Sequence, residues 1–373
     1  MPDDPAPAET AQRVLIVMPS LAAGGAERQA LMLAAALRDA GEWQPTVAVL
    51  KGEPGAGALQ GGATGPGIEP VHISGGVRGL SRWIDAQSPV INVVQSVLLN
   101  RQVALACAML RKARPRPRVV FSLRSSGVTD GRWMTRLVWR WVDAMLARSY
   151  AHAIIANSAA AVEWAARSGY PRQRLHMVPN AVEVGTSPQP EHRPHIGRQP
   201  LVVAVGNLRA VKGHAVLLDA WRDLQPAARL QIVGEGAERA ALEARLPGGV
   251  ELLGHRNDVP DLLRAADVFV HPSLSEGWPN AVAEALLAGC AVIATDVGET
   301  PTIVGDAGEI VPAGDARALA AALRRVLGDV PAARQRAEAG RERLIRDYSP
   351  AALAARTAAI YRSAPDPRGG ARG

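Results

Sequence analysis

His271-Pro-Ser-Leu-Ser-Glu-Gly-Trp-Pro-Asn-Ala-Val-Ala-Glu-Ala-Leu-Leu-Ala-Gly289 reads as a strand end, a loop and a helix. The apolar run 268–271 is the strand, and Pro279 falls where the first helical turn tolerates proline. Gly289 stands where a glycine commonly closes a helix. Glu276 and Gly277 then lie on the loop entering the helix, with Glu284 in its second turn. A helix N-terminus offers unpaired N–H groups and the positive end of a dipole, which suit a phosphate. Gly277 allows close backbone approach to a ligand. Ionised carboxylates only accept hydrogen bonds, so Glu276 and Glu284 beside such a site would hold hydroxyls. A diphosphate between hydroxyl-rich rings matches that layout. Taken alone, two glutamates would read as the ordinary acids of a helix start.

The same strand–loop–helix rhythm extends in both directions. Strands are expected at 14–18, 46–50, 90–94, 119–123, 153–157 and 177–179, with helices at 26–39, 101–111, 133–148 and 159–168 between them. The rhythm stops at 185–200, which is rich in Pro, Ser and His and reads as a linker. It restarts with strands at 201–205, 230–233, 250–252, 268–271, 291–295 and 309–311. Helices are expected there at 215–224, 237–245, 259–265, 280–288 and 316–327, and in the tail at 332–347 and 351–362. Alternating strands and helices imply an α/β fold with parallel sheets covered on both faces. The expected organisation is a disordered N-terminus (1–12), a first domain (13–184), the linker (185–200), a second domain (201–347) and a C-terminal helix and tail (348–373) packing back toward the first domain. Ligands of doubly wound sheets bind beyond the carboxyl ends of the strands. The Gly-rich segment 51–70 reads as a loop without chemistry.

The chain has 373 residues, enough for two cores. Its two cysteines have neither a disulfide framework's number nor metal-ligand spacing, and a reducing cytosol fits them. The N-terminal residues lack the basic-then-apolar pattern of a signal peptide. Residues 1–183 hold 20 Lys/Arg against 13 Asp/Glu, an excess of seven, while residues 184–373 hold 22 of each. The excess points either to an anionic partner, such as lipid headgroups or a lipid-linked diphosphate, or to a solvated arginine-rich surface. Arg132, Arg136 and Arg140 share one face of the expected helix, and Trp133, Leu137 and Trp141 the adjacent stripe. That helix either rests on a membrane as part of a peripheral enzyme, on the inner face of the plasma membrane, or packs its apolar stripe on the sheet. Nucleic acid is not an expected partner, since no module signature is present and only two Phe and four Tyr could stack bases.

Several ordered motifs together resemble one family. Glu276-Gly277, then Asn280 to Glu284, resembles the Glu-x7-Glu motif of the family-4 retaining glycosyltransferases (glycosyl transferases group 1) of the GT-B fold. Gly24-Gly25-Ala26-Glu27-Arg28 resembles that family's amino-terminal glycine loop. Val178-Pro179-Asn180 resembles its strand before the linker. Gly206-Asn207-Leu208, then Lys212-Gly213-His214, resembles its phosphate loop, and Gly254-His255-Arg256-Asn257-Asp258 its base-binding turn. The resemblance spans about residues 13 to 362. It implies two Rossmann-like domains facing a central cleft, and a nucleotide-sugar donor, uridine-based by family default.

By this resemblance Glu276 contacts the donor sugar and Lys212 neutralises the diphosphate, and these two are the catalytic candidates. Glu284 would hold the ribose, backbone at Asn280, Ala281 and Val282 would face the diphosphate, and Gly277 would lie against the donor. The main chain near His255 and Arg256 would meet the base. Gly206 and Asn207 line the phosphate loop. The family commonly has Arg where Asn207 stands, and Arg209 is the candidate substitute. Gly24 and Gly25 either bring backbone to the donor or simply turn strand into helix. Some members have a catalytic His in the loop that here begins with Arg124, so no His is carried over. Arg124 is either a phosphate or acceptor contact or a surface residue. With no Asp-x-Asp and no His/Cys cluster, no metal site and no cofactor are expected. The implied reaction is retaining transfer to a glycan or lipid-linked acceptor, in polysaccharide or glycoconjugate biosynthesis. A nucleotide-sugar epimerase and a non-catalytic nucleotide-sugar-binding protein are the rivals, separable by product analysis and a turnover assay.

Overall fold

The structure, a computed structural model, describes residues 11–21, 25–50, 68–87, 91–112, 115–123, 133–182, 199–224 and 227–364. Gly24, Arg124 and nearly all of the expected linker lie outside these residues. The chain divides into two compact units, one of residues 1–181 and 350–373, the other of residues 182–349.

The first unit holds β1 (Gln12–Met18), β2 (Trp43–Val49), β3 (Val71–His72), β4 (Val93–Ser96), β5 (Arg118–Leu123), β6 (Ala153–Ala156) and β7 (Leu175–Met177). Its helices are α1 (Gly25–Asp39), α2 (Gly76–Ala86), α3 (Asn100–Ala108), α4 (Trp133–Tyr150) and α5 (Ala159–Arg167). The sheet order is 3-2-1-4-5-6-7 and every pairing is parallel. The period of two along β1 sends Val14, Ile16 and Met18 into the core under α1, and Leu15 and Val17 into the core on the opposite face. This is why the strand is apolar throughout. Leu15→Ala would leave a cavity costing about 2–5 kcal/mol.

The second unit holds β8 (Leu201–Val205), β9 (Arg229–Val233), β10 (Val250–Gly254), β11 (Val268–His271), β12 (Ala291–Thr295) and β13 (Gly308–Val311). Their order is 10-9-8-11-12-13, again all parallel. This is the doubly wound arrangement, with its order reversing at β8 and β11. The helices are α6 (His214–Leu224), α7 (Arg239–Glu243), α8 (Val259–Ala265), α9 (Asn280–Leu287), α10 (Thr300–Val304), α11 (Ala316–Gly328) and α12 (Val330–Asp347). Asp315 and Asp329 cap α11 and α12 by accepting from the backbone N–H of Ala318 and Ala332, at 2.9 and 3.0 Å.

The last helix, α13 (Pro350–Ser363), belongs to the first unit. Leu353, Ala354 and Tyr361 share a core with α1. Tyr361 stacks edge-on against Trp43, with ring centroids 5.0 Å apart, and its hydroxyl donates to Gln95 Oε1. Arg118 donates to the carbonyls of Tyr361 and Arg362 at 2.6 and 3.0 Å.

Local expectations needed correction in several places, and α10 too was not expected. Gln12, expected to be disordered, opens β1, because its N–H bonds to the Glu42 carbonyl at 3.1 Å. The strand expected at 90–94 lies at Val93–Ser96, since its pairing with β1 sets its register through Val14 and Val93. The strand expected at 177–179 ends at Met177, where pairing with Ala156 ends. β3 and α2 were not expected at all. α2 does carry a helical period, with Val77, Leu80, Trp83 and Ile84 packed on one core.

Candidate functional site

In the second unit the loops beyond β8, β9, β11 and β12 converge. The loop after β8 runs through Gly206 and a 3-10 turn, Ala210–Lys212, to Gly213. Gly213 has φ +66, and a Cβ there would run into the Pro272 carbonyl, so only glycine lets this loop lie against the one after β11. Leu274 N–H seals the contact by donating to the Val211 carbonyl at 2.8 Å. The turn after β9 is tied to the same loop. Leu208 N–H donates to the Glu235 carbonyl, and Glu238 N–H to that of Leu208, each at 2.9 Å.

This packing brings Lys212 and Glu276 together. Lys212 Nζ lies 2.6 Å from Glu276 Oε1, with the two side chains 26% and 11% exposed. Ser273 Oγ donates to the same oxygen at 2.7 Å. His271 Nε2 stands 3.1 Å from it, without hydrogen-bond alignment. Burial would raise the Glu276 carboxyl, but His271 and Lys212 outweigh burial and hold it down at about 2. Thr295, at the end of β12, donates its hydroxyl to the carbonyls of His271 and Ser273, at 3.2 and 2.6 Å, and so pins the backbone beneath them.

His214 lies under Gly206 and is 3% exposed. A Cβ on Gly206 would stand 3.6 Å from His214 Nε2 and 3.8 Å from the Lys212 stem. Neither His214 ring nitrogen has a hydrogen-bond partner. Burial, with His271 and Lys212 nearby, lowers its pKa to about 4, so the ring is neutral at pH 7.

Gly277 and Glu276 are held from β12's side as well. Glu299 N–H donates to the Gly277 carbonyl at 2.9 Å. α9 begins at Asn280 after Pro279, with no side-chain cap on its first turn. Ala281 and Val282 follow on that turn, and Glu284 lies half-buried farther along the helix.

The expected residues therefore divide. Gly206, Lys212, Glu276 and Gly277 form one cluster, with Asn280, Ala281, Val282 and Glu284 on the adjoining helix. Asn207 and Arg209 are exposed on the loop. His255 and Arg256 are exposed just beyond β10, where Gly234 N–H donates to the Gly254 carbonyl at 2.9 Å. The Arg256 guanidinium forks onto Asp258, at 2.8 and 2.6 Å. Gly25 is exposed at the start of α1 in the other unit. Sequence reasoning gave no role to His214, His271, Ser273 or Thr295. The last three lie at or just past the end of an apolar strand, and His214 opens α6 within a quoted motif. Among the described residues, no group of three or more His, Cys, Asp or Glu is disposed to hold a metal ion.

In the first unit most of the exposed large apolar side chains lie on or beside α3 and α4. Trp141 is 69% and Trp139 49% exposed, and Leu105, Met109 and Met145 are exposed too. The Arg101 guanidinium sits over the Trp139 ring, 4.2 Å from its centroid, and pairs with Asp143. These two tryptophans are not packed onto the sheet. Among the described residues no helix is long and apolar enough to cross a membrane.

Comparison with known proteins agrees on both units. Residues 199–329 match the family model described as glycosyl transferases group 1, and residues 24–181 the one described as glycosyl transferase 4-like domain. Glycogen synthase of Mycobacterium tuberculosis is 31% identical over 202 residues, covering 51% of this chain and 49% of that protein. Phosphatidyl-myo-inositol mannosyltransferase of Mycolicibacterium smegmatis is 35% identical over 165 residues, covering 41% and 42%. The chain spans about half the length of the curated relatives it matches. Among solved structures, Anabaena Alr3699/HepE in complex with UDP superposes with a TM-score of 0.79 at 20% identity, covering 94% of this chain and all of that one. Sucrose-phosphate synthase of Thermosynechococcus elongatus gives 0.76 at 20% identity, covering 94% and 98%. Likeness at that identity shows the fold, which is two Rossmann-like units of the GT-B type.

Proposed function

The chain belongs to the group 1 glycosyltransferases, and from that premise we propose that it moves a sugar, with retention, from a nucleotide donor to a glycan or lipid-linked acceptor. The observation that carries this is the Lys212–Glu276 pair, 2.6 Å apart at the carboxyl edge of the sheet and beside the first turn of α9. A cation and a helix N-terminus suit a diphosphate, and a carboxylate held ionised suits sugar hydroxyls. UDP in the Anabaena neighbour's crystal supports a uridine donor, and the mannosyltransferase's lipid-bearing name supports a lipid-linked acceptor.

In this reading the donor's C1–O bond loosens toward an oxocarbenium ion as the diphosphate leaves. Lys212 and the N–H groups of the first turn of α9 take up the charge, so transfer needs no metal. The acceptor hydroxyl attacks from the same face and gives its proton to the leaving phosphate oxygen. Glu284 holds the ribose. The enzyme works from the cytoplasmic side of an anionic membrane, with Trp139 and Trp141 in the headgroup layer and the basic excess of the first unit facing lipid phosphates. The test is a thermal-shift screen of nucleotide sugars followed by turnover with and without acceptor. A ligand at 100 times its Kd adds about 2.7 kcal/mol of stability. Transfer product only with acceptor is expected. Conversion of the donor sugar without acceptor would replace this reading with an epimerase, and binding without any turnover with a binding protein.

A further inference from the structure

We propose that Lys212 changes partners in the reaction cycle, and that Ser273 and His271 are positioning residues that keep Glu276 in place when it does. This rests on reading the site as one for a nucleotide sugar.

Three groups converge on a single oxygen. Lys212 Nζ at 2.6 Å, Ser273 Oγ at 2.7 Å and His271 Nε2 at 3.1 Å all face Glu276 Oε1. The lysine and the serine already satisfy that oxygen's two lone pairs. His271 Nε2 is buried, close and left without a bonded partner. This leaves one donor more than Oε1 can accept.

A diphosphate carries more charge than one carboxylate and competes for the lysine. Lysine is a point charge on a flexible stem, so it can turn. His271 is held at its backbone, since it ends β11 and its carbonyl accepts from Thr295, so only a small tilt of its ring is open to it. Ser273 is fixed by the same hydroxyl. When Lys212 swings to the diphosphate, His271 Nε2 closes on the lone pair it vacates. Glu276 stays ionised and aimed, with Oε2 turned to the sugar. Without that replacement, a buried carboxylate would lose part of its hydrogen bonding at the moment it must bind substrate.

The arrangement also makes Glu276 and the diphosphate rivals for Lys212. Removing the carboxylate's charge frees the lysine and tightens binding of a nucleoside diphosphate that carries no sugar.

The experiment uses the full chain. Binding of UDP, GDP and ADP is measured by calorimetry, and turnover with UDP-glucose, GDP-mannose and ADP-glucose. Ser273→Ala and His271→Leu should lower kcat by about tenfold or more, the scale of lost orienting partners, with the Kd for the cognate diphosphate within twofold of wild type. His271→Gln, whose amide nitrogen reaches the place of Nε2, should recover most of kcat. Glu276→Gln should bind that diphosphate several-fold more tightly than wild type. Wild-type kcat in both Ser273→Ala and His271→Leu, or an unchanged or weaker diphosphate Kd in Glu276→Gln, would overturn the inference and leave the donor site standing. Equal losses of kcat and diphosphate binding in folded variants would overturn it too, as general damage. A wild-type chain that binds none of the three diphosphates would overturn the nucleotide reading itself.

Discussion

A Cβ on Gly298 would stand 2.5 Å from the carbonyl oxygen of Glu276 and as close to that of Gly277. The turn after β12 thus packs backbone to backbone on the Glu276 loop, with room there for hydrogen and nothing larger. Gly298 also has φ +55. Gly298→Ala should therefore displace the loop and cut turnover by about a hundredfold, since a shift of an ångström at a reacting centre costs that much. Gly41 has φ +75 with nothing near its missing Cβ. Gly41→Ala should cost only the left-handed penalty of about 1–2 kcal/mol, with turnover intact. Melting curves and rates on both variants check the contrast.

His214 sets a pH dependence of stability. Its folded pKa is near 4, against 6.5 for a free imidazole. Between those values the unfolded chain binds a proton that the folded chain refuses. Stability from this group is complete above pH 6.5 and lost as pH falls to 4, by about 3 kcal/mol at the lower end. His214→Leu should remove that part of the slope. Urea denaturation of both proteins at pH 7, 5.5 and 4.5 should show wild type losing ground to the variant as pH falls.

Glu284 and Glu276 should fail differently. Glu284→Ala should weaken nucleoside diphosphate binding by about 1.5–3 kcal/mol, the value of a charged hydrogen bond. Glu276→Ala should tighten that affinity and remove turnover. Calorimetry beside initial rates separates the two, and variants that fail alike would contradict the division of roles.

Activity should survive exhaustive chelation. Lys212 beside the first turn of α9 is the proposed counter-charge for the leaving group. Turnover lost with chelator and restored by magnesium or manganese would reassign that work.

Vesicle sedimentation tests the first unit. Wild type should bind anionic vesicles over neutral ones, more weakly at high salt. Trp141→Ser should reduce binding several-fold without changing turnover on a soluble acceptor. Equal, negligible binding to both vesicle types would leave the exposed tryptophans without this role.

Most of the fold could be read from the chain because each strand of a doubly wound sheet is buried on both faces. Runs such as Val14 to Met18 are then unmistakable. What failed were elements decided by neighbours, namely the two-residue β3 and the register of β4. The Glu276–Lys212 cluster was approached by motif, but the motif did not predict that the pair would meet. That contact depends on two glycines 85 positions apart, Gly213 and Gly298, which let three loops close at van der Waals distance. Of the supporting shell, the Thr295 bonds could not be read because they join strand ends more than twenty residues apart, while Ser273 and His271 lie within a few residues of Glu276 and lacked only the geometry that aims them. Trp141 was legible as part of a periodic stripe, but neither its exposure nor that of Trp139, which lies off the stripe, could be read.

The placement of α13 bears on how the protein is made. A ribosome delivers β1 to β7 and their helices well before Tyr361. Until that residue emerges, Trp43 lacks its ring partner, Gln95 its donor and the α1 side of the core its covering helix. The first unit is begun first and completed last, so an arrest anywhere in the second half strands an open apolar face. Nascent chains stalled before residue 350 should draw chaperones, and a fragment ending at 181 should be rescued by supplying the α13 peptide in trans.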